Sequence, residues 1–249
     1  MRALTRLRRN CLIALFCGLA YSTMASAAMA GALRVAPILL EVPAPGATTT
    51  LNLRNEGDRN LRVQIRVFRW TGTQAEPTLE PTTDVVVSPP AAMLTPGTEY
   101  VVRVVRVTRQ PVAGEESYRV LVDEIPEGGA DRVNTVRFAF RYSIPVFFSA
   151  AATPAANVSW SMAVKGNTAV LTASNSGGRR ARLANLKVID SSGKTLIQRP
   201  GLVGYALGKS TTAWTLPTAG KAAPLGPLRL VAESETGAIN AVVALQSPR

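Results

Sequence analysis

From residue 31 onward the chain is punctuated rather than helically periodic. Short runs rich in Val, Ile, Leu, Thr and aromatic residues are separated by Gly, Pro, Asn and Asp. In the run Leu61–Val67, the apolar Leu61, Val63, Ile65 and Val67 alternate with Arg62, Gln64 and Arg66. Side chains on a strand point to opposite faces with a period of two, so such a run has one greasy and one wet face. Seven runs of this kind fill the first half: Leu33–Val42, Thr48–Asn55, Leu61–Trp70, Thr83–Ser88, Glu99–Val107, Ser117–Asp123 and Val133–Phe148. Turn signals lie between them at Pro45-Gly46, Asn55-Glu56-Gly57-Asp58, Pro96-Gly97 and Glu127-Gly128-Gly129. Seven short strands over about 115 residues predict an immunoglobulin-like sandwich, without the Cys-Trp-Cys pattern of antibody domains.

The composition shifts at the small-residue stretch Ser149–Ala156, which reads as a hinge or linker. A second series of runs follows at Val158–Val164, Thr168–Ser174, Leu183–Asp190, Lys209–Leu216, Leu228–Glu233 and Ala238–Leu245. Asn175-Ser176-Gly177-Gly178 and Ser192-Gly193-Lys194 supply turns. The expected organisation is all-β: two immunoglobulin-like β-sandwich domains in tandem, at residues 31–150 and 151–249.

Residues 1–30 stand apart. Arg2, Arg6, Arg8 and Arg9 precede an apolar run from Cys11 to about Ala20, and small residues follow. This is the layout of a cleaved secretory signal peptide, with the cut between Ala27 and Ala30. The apolar run is short for a membrane span, so a retained anchor is not expected. Neither cysteine sits in a convincing lipobox. Both cysteines, Cys11 and Cys17, fall in this segment, so the mature chain has no disulfide. Its formal charge falls from +12 to +8 once the four arginines are gone. A basic protein suits nucleic acid, an anionic surface or an acidic partner. Here the arginines are scattered along alternating strands rather than clustered, which argues against nucleic acid. The expected product is exported, soluble and not membrane-inserted.

Histidine is absent from the chain. That removes Ser-His-Asp and Cys-His catalytic sets and the usual zinc sites. Asp123 and Glu124 are the chief carboxylate candidates, but neighbours on a strand face opposite ways and make a poor acid/base pair. No phosphate-binding glycine loop is present. Neither enzyme activity, a cofactor nor a metal is expected.

The run Val133–Pro145 carries the most functional information. Val136, Phe138, Phe140 and Tyr142 alternate with small or basic residues, and Arg137 and Arg141 occupy the other face. In mid-sheet the aromatics would be core. At a sheet edge the same pattern could be offered to another polypeptide, with backbone pairing for affinity and alternate side chains for specificity.

Four local patterns, taken in order, give the first half a family likeness. These are Thr50-Leu51-Asn52-Leu53-Arg54-Asn55; Pro89-Pro90 with Leu94-Thr95-Pro96-Gly97 and Val102-Arg103; Glu116-Ser117-Tyr118 leading to Asp123-Glu124-Ile125-Pro126; and the alternating seventh strand. Residues 31–150 resemble the periplasmic chaperones of chaperone–usher pilus assembly, and the remainder is similar in architecture only. The seventh strand, in particular Phe140–Phe147, looks more like the family's divergent, archaic branch.

The resemblance implies donor-strand complementation. Pilus subunits lack their last strand, and the chaperone lends alternate residues of its seventh strand to the open groove. The donors implied are Val136, Phe138, Phe140 and Tyr142, and the partners are pilus subunits and an outer-membrane usher. The family also grips the subunit's terminal carboxylate with a first-strand Arg and a seventh-strand Lys. Here Ile38 and Leu39 lie near the first position and Ser143 near the second. Arg141 and Arg119 are the substitutes expected, since guanidinium grips carboxylate bidentately; a solvated outward face is the alternative for each. The family's interdomain acid corresponds to Glu124, while its Arg partner corresponds to Phe147. A rival reading is an exported structural or adhesive protein such as a pilus subunit. Such a subunit carries its alternating donor segment at the amino terminus, not in mid-chain. Because a long apolar edge invites aggregation, self-association of the empty protein is a reasonable expectation.

Overall fold

The computed structural model describes residues 32–71, 78–126, 138–220 and 226–246. Among the described residues, ten strands build the first half: β1 (Leu33–Ala36), β2 (Leu40–Pro43), β3 (Thr48–Asn55), β4 (Leu61–Trp70), β5 (Leu79–Pro81), β6 (Val85–Ser88), β7 (Ala91–Leu94), β8 (Glu99–Arg106), β9 (Glu115–Ile125) and β10 (Arg141–Ser149). One sheet has the order β1-β3-β8-β6, and the other has β2-β10-β9-β4-β5 with β7 also on β4. Alternate residues of both sheets meet in one core, among them Leu51, Leu53, Val63, Ile65, Val102, Val104, Tyr118, Val120, Ile144, Val146 and Phe148. This is the period-two pattern realised as a sandwich.

The second half has β11 (Val158–Lys165), β12 (Thr168–Asn175), β13 (Ala181–Ile189), β14 (Thr195–Ala206), β15 (Ser210–Pro217), β16 (Leu228–Ser234) and β17 (Gly237–Gln246). These follow the order β14-β13-β16-β17-β11-β12-β15. Their core holds Met162, Leu171, Leu183, Leu186, Val188, Leu230 and the stacked pair Trp160 and Trp214. Among the described residues no helix is long and apolar enough to cross a membrane.

Several expected strands need correction. The run Leu33–Val42 is two strands, not one. The strand is interrupted at Pro37, which has no N–H to give to a ladder, so β1 pairs β3 in one sheet while β2 pairs β10 in the other. The seventh strand, expected over Val133–Phe148, begins only at Arg141; residues 138–140 are not in a strand, and 133–137 lie outside the described residues. Strands β5, β7 and β14 have no counterpart in the expected set. In β14 the breakers Pro200, Gly201 and Gly204 mask the pattern, and register shifts in its pairing with β13 absorb them.

Both halves are closed by the same device. Asn55 donates from its side chain to the carbonyls of Arg59 and Leu94, and its Oδ1 accepts from Gly57 N–H. Asn175 repeats this with Arg179, Ala206 and Gly177. The second turn also holds the connecting segment: Ser176 N–H bonds Asn157 O, and Arg179 N–H bonds Pro154 O. A side chain at Gly177 would come within 2.1 Å of Ala155 O, so only glycine permits this approach. The connecting segment is tied to the first half as well, through Ala150 N–H and Thr153 Oγ1, which both bond Gly114 O.

Candidate functional site

Strand β10 has two unlike ends. Residues Val146–Ser149 pair with β2 on one side and β9 on the other. Residues Arg141–Pro145 pair with β9 alone, so among the described residues their other edge is open. On the core face Ile144, Val146 and Phe148 are buried, and Tyr142 packs against them while its hydroxyl donates to Leu33 O at 2.7 Å. Pairing reaches one residue further upstream, where Glu124 N–H bonds Phe140 O at 3.0 Å. Beyond that point the apolar residues are in solvent: Phe140 is 45% and Phe138 is 79% exposed. Val136 lies outside the described residues. Ile38, at the break between β1 and β2, is likewise 76% exposed, whereas Leu39 packs into a small cluster at the other face.

The face of β10 away from the core continues across β9 and β4. It carries Arg141 and Phe147, then Arg119 and Asp123, then Arg66 and Trp70. The two expected carboxylate anchors share this face, but four residues of β9 separate their register positions, about 13 Å along a strand. Their surroundings differ. Arg141 Nε donates to Asp123 Oδ1, and Arg66 Nη2 donates to Asp123 Oδ2 at 2.6 Å. Burial alone would raise the Asp123 pKa, yet the hydrogen bonds from Arg141 and Arg66 outweigh it and hold this carboxyl below the usual range.

Arg119 has no carboxylate partner among the described residues. Its guanidinium carbon lies 3.9 Å from the centre of the Trp70 ring and 5.9 Å from that of Tyr205, and Nη1 donates to Ser143 O at 3.3 Å. Its Nε–H is buried without an acceptor, as is the indole N–H of Trp70. Desolvation lowers the Arg119 pKa. Trp70 and Phe147 from the first half and Tyr205 and Leu207 from the second form one buried cluster, with Trp70 edge-on to Tyr205.

A separate ionic contact ties the halves together. Arg180 donates through Nη1 to Glu115 Oε2 at 2.5 Å and through Nη2 to Glu41, while its backbone N–H bonds Glu115 Oε1 at 2.9 Å. The guanidinium also lies 3.8 Å over the Phe147 ring. Phe147, which replaces an expected arginine, is therefore itself the surface on which an arginine from the other half rests. Glu124 takes no part in this contact. Among the described residues its Oε1 is buried without a partner, and burial raises its pKa. Sequence reasoning missed Arg180, Trp70 and Tyr205. Trp70 carried a signal, since with Phe68 it gives the outer face of β4 an aromatic end after Arg62, Gln64 and Arg66; Tyr205 sits in the strand that Pro and Gly concealed.

Comparison with known proteins decides the family. Residues 32–154 match the model described as pili and flagellar-assembly chaperone, PapD N-terminal domain. The chain belongs to the PapD-like pilus-chaperone family. Among curated proteins none matches the sequence. Solved structures extend the likeness of this PapD-like chaperone over both cores. One is the complex of the chaperone CsuC with the tip adhesion subunit CsuE, from archaic chaperone–usher Csu pili of Acinetobacter baumannii. It is 24% identical, covers 87% of this chain and 100% of that one, and has a TM-score of 0.67. CupB2 of Pseudomonas aeruginosa is 16% identical over 86% of this chain and 100% of its own, with a TM-score of 0.55. Salmonella enterica SafA pilin in complex with the SafB chaperone gives 18% identity over 84% and 95%, with a TM-score of 0.57. The tandem immunoglobulin-like architecture expected from the sequence is thus the fold of this PapD-like chaperone, and its family is non-enzymatic.

Proposed function

We propose that this protein binds pilus subunits in the periplasm by donor-strand complementation and passes them to an outer-membrane usher. Residues 1–30 serve as its cleaved export signal. The observation that carries this reading is the open end of β10, where Phe140 and Phe138 continue an apolar alternation out into solvent. An open ladder edge with alternate aromatic side chains is what an incomplete sandwich needs to close. Val136, Phe138 and Phe140 are the donors, with Tyr142, which packs on the protein's own core, at the inner limit of the donor run; each apolar side chain seated in a subunit groove contributes about 1.5–3 kcal/mol. Arg119 and Arg141 face the client's terminal carboxylate from the sheet beside that edge. The relatives CsuC and SafB were crystallised with a tip adhesion subunit and a pilin respectively, which supports the same class of partner here.

The test is co-purification of a co-expressed pilus subunit with the double variant Phe138→Asp, Phe140→Asp. The expected result is a folded protein with an unchanged thermal midpoint that no longer retains the subunit. Retention at the wild-type level would remove the donor assignment.

A further inference from the structure

Seven ion pairs among the described residues give Arg34, Arg66, Arg69, Arg106, Arg141 and Arg180 a carboxylate each. Arg119 is half-buried and has none. A guanidinium withdrawn from water without a counter-ion is costly, and proteins keep such a group where a ligand supplies the missing charge. Two further facts make the arrangement a prepared one. The Arg119 plane is held by the Trp70 ring at 3.9 Å, and the buried Nε–H of Arg119 and indole N–H of Trp70 are both left without acceptors. Trp70 is itself fixed edge-on by Tyr205, whose ring centre lies 5.8 Å away and which belongs to the second half of the chain.

We propose that Trp70 and Tyr205 are positioning residues that hold Arg119 ready for a carboxylate, so that the seat for a subunit terminus is built by both domains. This rests on the reading of Arg119 as an anchor for the subunit's terminal carboxylate. An aromatic face fixes a guanidinium laterally while leaving its edge donors free for a bidentate ligand. The first domain supplies the charge and one ring. The second supplies Tyr205, which together with Phe147 of the first stops that ring from turning, so binding at Arg119 senses the placement of Tyr205.

The experiment follows the Arg119 Nε–H resonance in the full-length mature protein during titration with N-acetylglycine, and with N-acetylglycinamide as the uncharged control. Wild type is expected to shift saturably with the acid and not with the amide. Trp70→Leu and Tyr205→Leu are expected to weaken the acid by about tenfold, as the loss of a desolvated cation–π contact implies. Trp70→Phe and Tyr205→Phe, which keep a ring, are expected to restore affinity and to control for folding. If wild type gives no acid-specific shift, the carboxylate seat itself fails. If wild type responds but the Leu variants bind equally well, the seat stands and the positioning role is overturned. Failure of the Phe variants to recover affinity, with their thermal midpoints intact, likewise overturns it.

Discussion

The two ends of β10 obey the same alternation and meet opposite fates. At the connecting-segment end Val146 and Phe148 are fully buried between the sheets, with a strand on either side. Toward the other end the neighbour on one side stops, and Phe140 and Phe138 are left in solvent. Burial is therefore set by what flanks the strand, not by the strand's own pattern. The apolar alternation runs on upstream of β10, past the core that receives the strand itself. The surplus is the part that the proposed donor role would use.

Substitutions at the two ends give this contrast numerical form. Phe148→Ala removes a ring packed edge-on to Tyr118, and is expected to cost about 3–5 kcal/mol in urea unfolding. A loss below about 1 kcal/mol would mean that the buried end is no better packed than the exposed one. Asp123→Ala comes next. It leaves Arg66 and Arg141 without their shared acceptor and should cost about 1–3 kcal/mol, with faster amide exchange at Arg141–Ser143 than at Val146–Phe148.

A pH series separates two kinds of carboxyl. Asp123 and Glu116 have folded pKa values below their unfolded ones; burial opposes this, but bonds from Arg141 and Arg66 to the first, and from Arg106 and Tyr118 to the second, prevail. Their stabilisation is present above the unfolded carboxylate pKa and is lost as pH falls through the folded values. Glu124 has the opposite sign. Its folded pKa is raised by burial, so its penalty is full above that pKa and gone below the unfolded one. Glu124→Gln should raise the thermal midpoint slightly at pH 7, with the gain shrinking on acidification. A gain that grew as pH fell would reverse the assignment. The smallest expected effect is Phe138→Ser, within about 0.5 kcal/mol of wild type, because the ring is largely exposed.

Much of this was legible beforehand. Strands Thr48–Asn55 and Leu61–Trp70 have the bounds that alternation and turn residues predict, because each is a half-buried strand with one face toward a single core. The break at Pro37 was harder to read, because a proline at a strand switch looks like one at a strand end. The site was legible along one strand and illegible across strands. Alternation marks Phe138, Phe140 and Arg141 as a group, but nothing local says that Asp123 will bind Arg141 while Arg119 goes to an aromatic ring. Cross-strand partners depend on register, and the Arg119–Tyr205 contact depends on the docking of one domain on another. Neither is encoded within a single run of residues.

Arg180 has a mechanical consequence. It is bound at once to Glu41 on β2, to Glu115 on β9 and to the ring of Phe147 on β10, three neighbouring strands of one sheet. Rotating one domain against the other cannot stretch these contacts one at a time, because a planar guanidinium has a single orientation that serves all three. The joint should therefore resist small torques stiffly and yield abruptly, behaving as a detent rather than a spring.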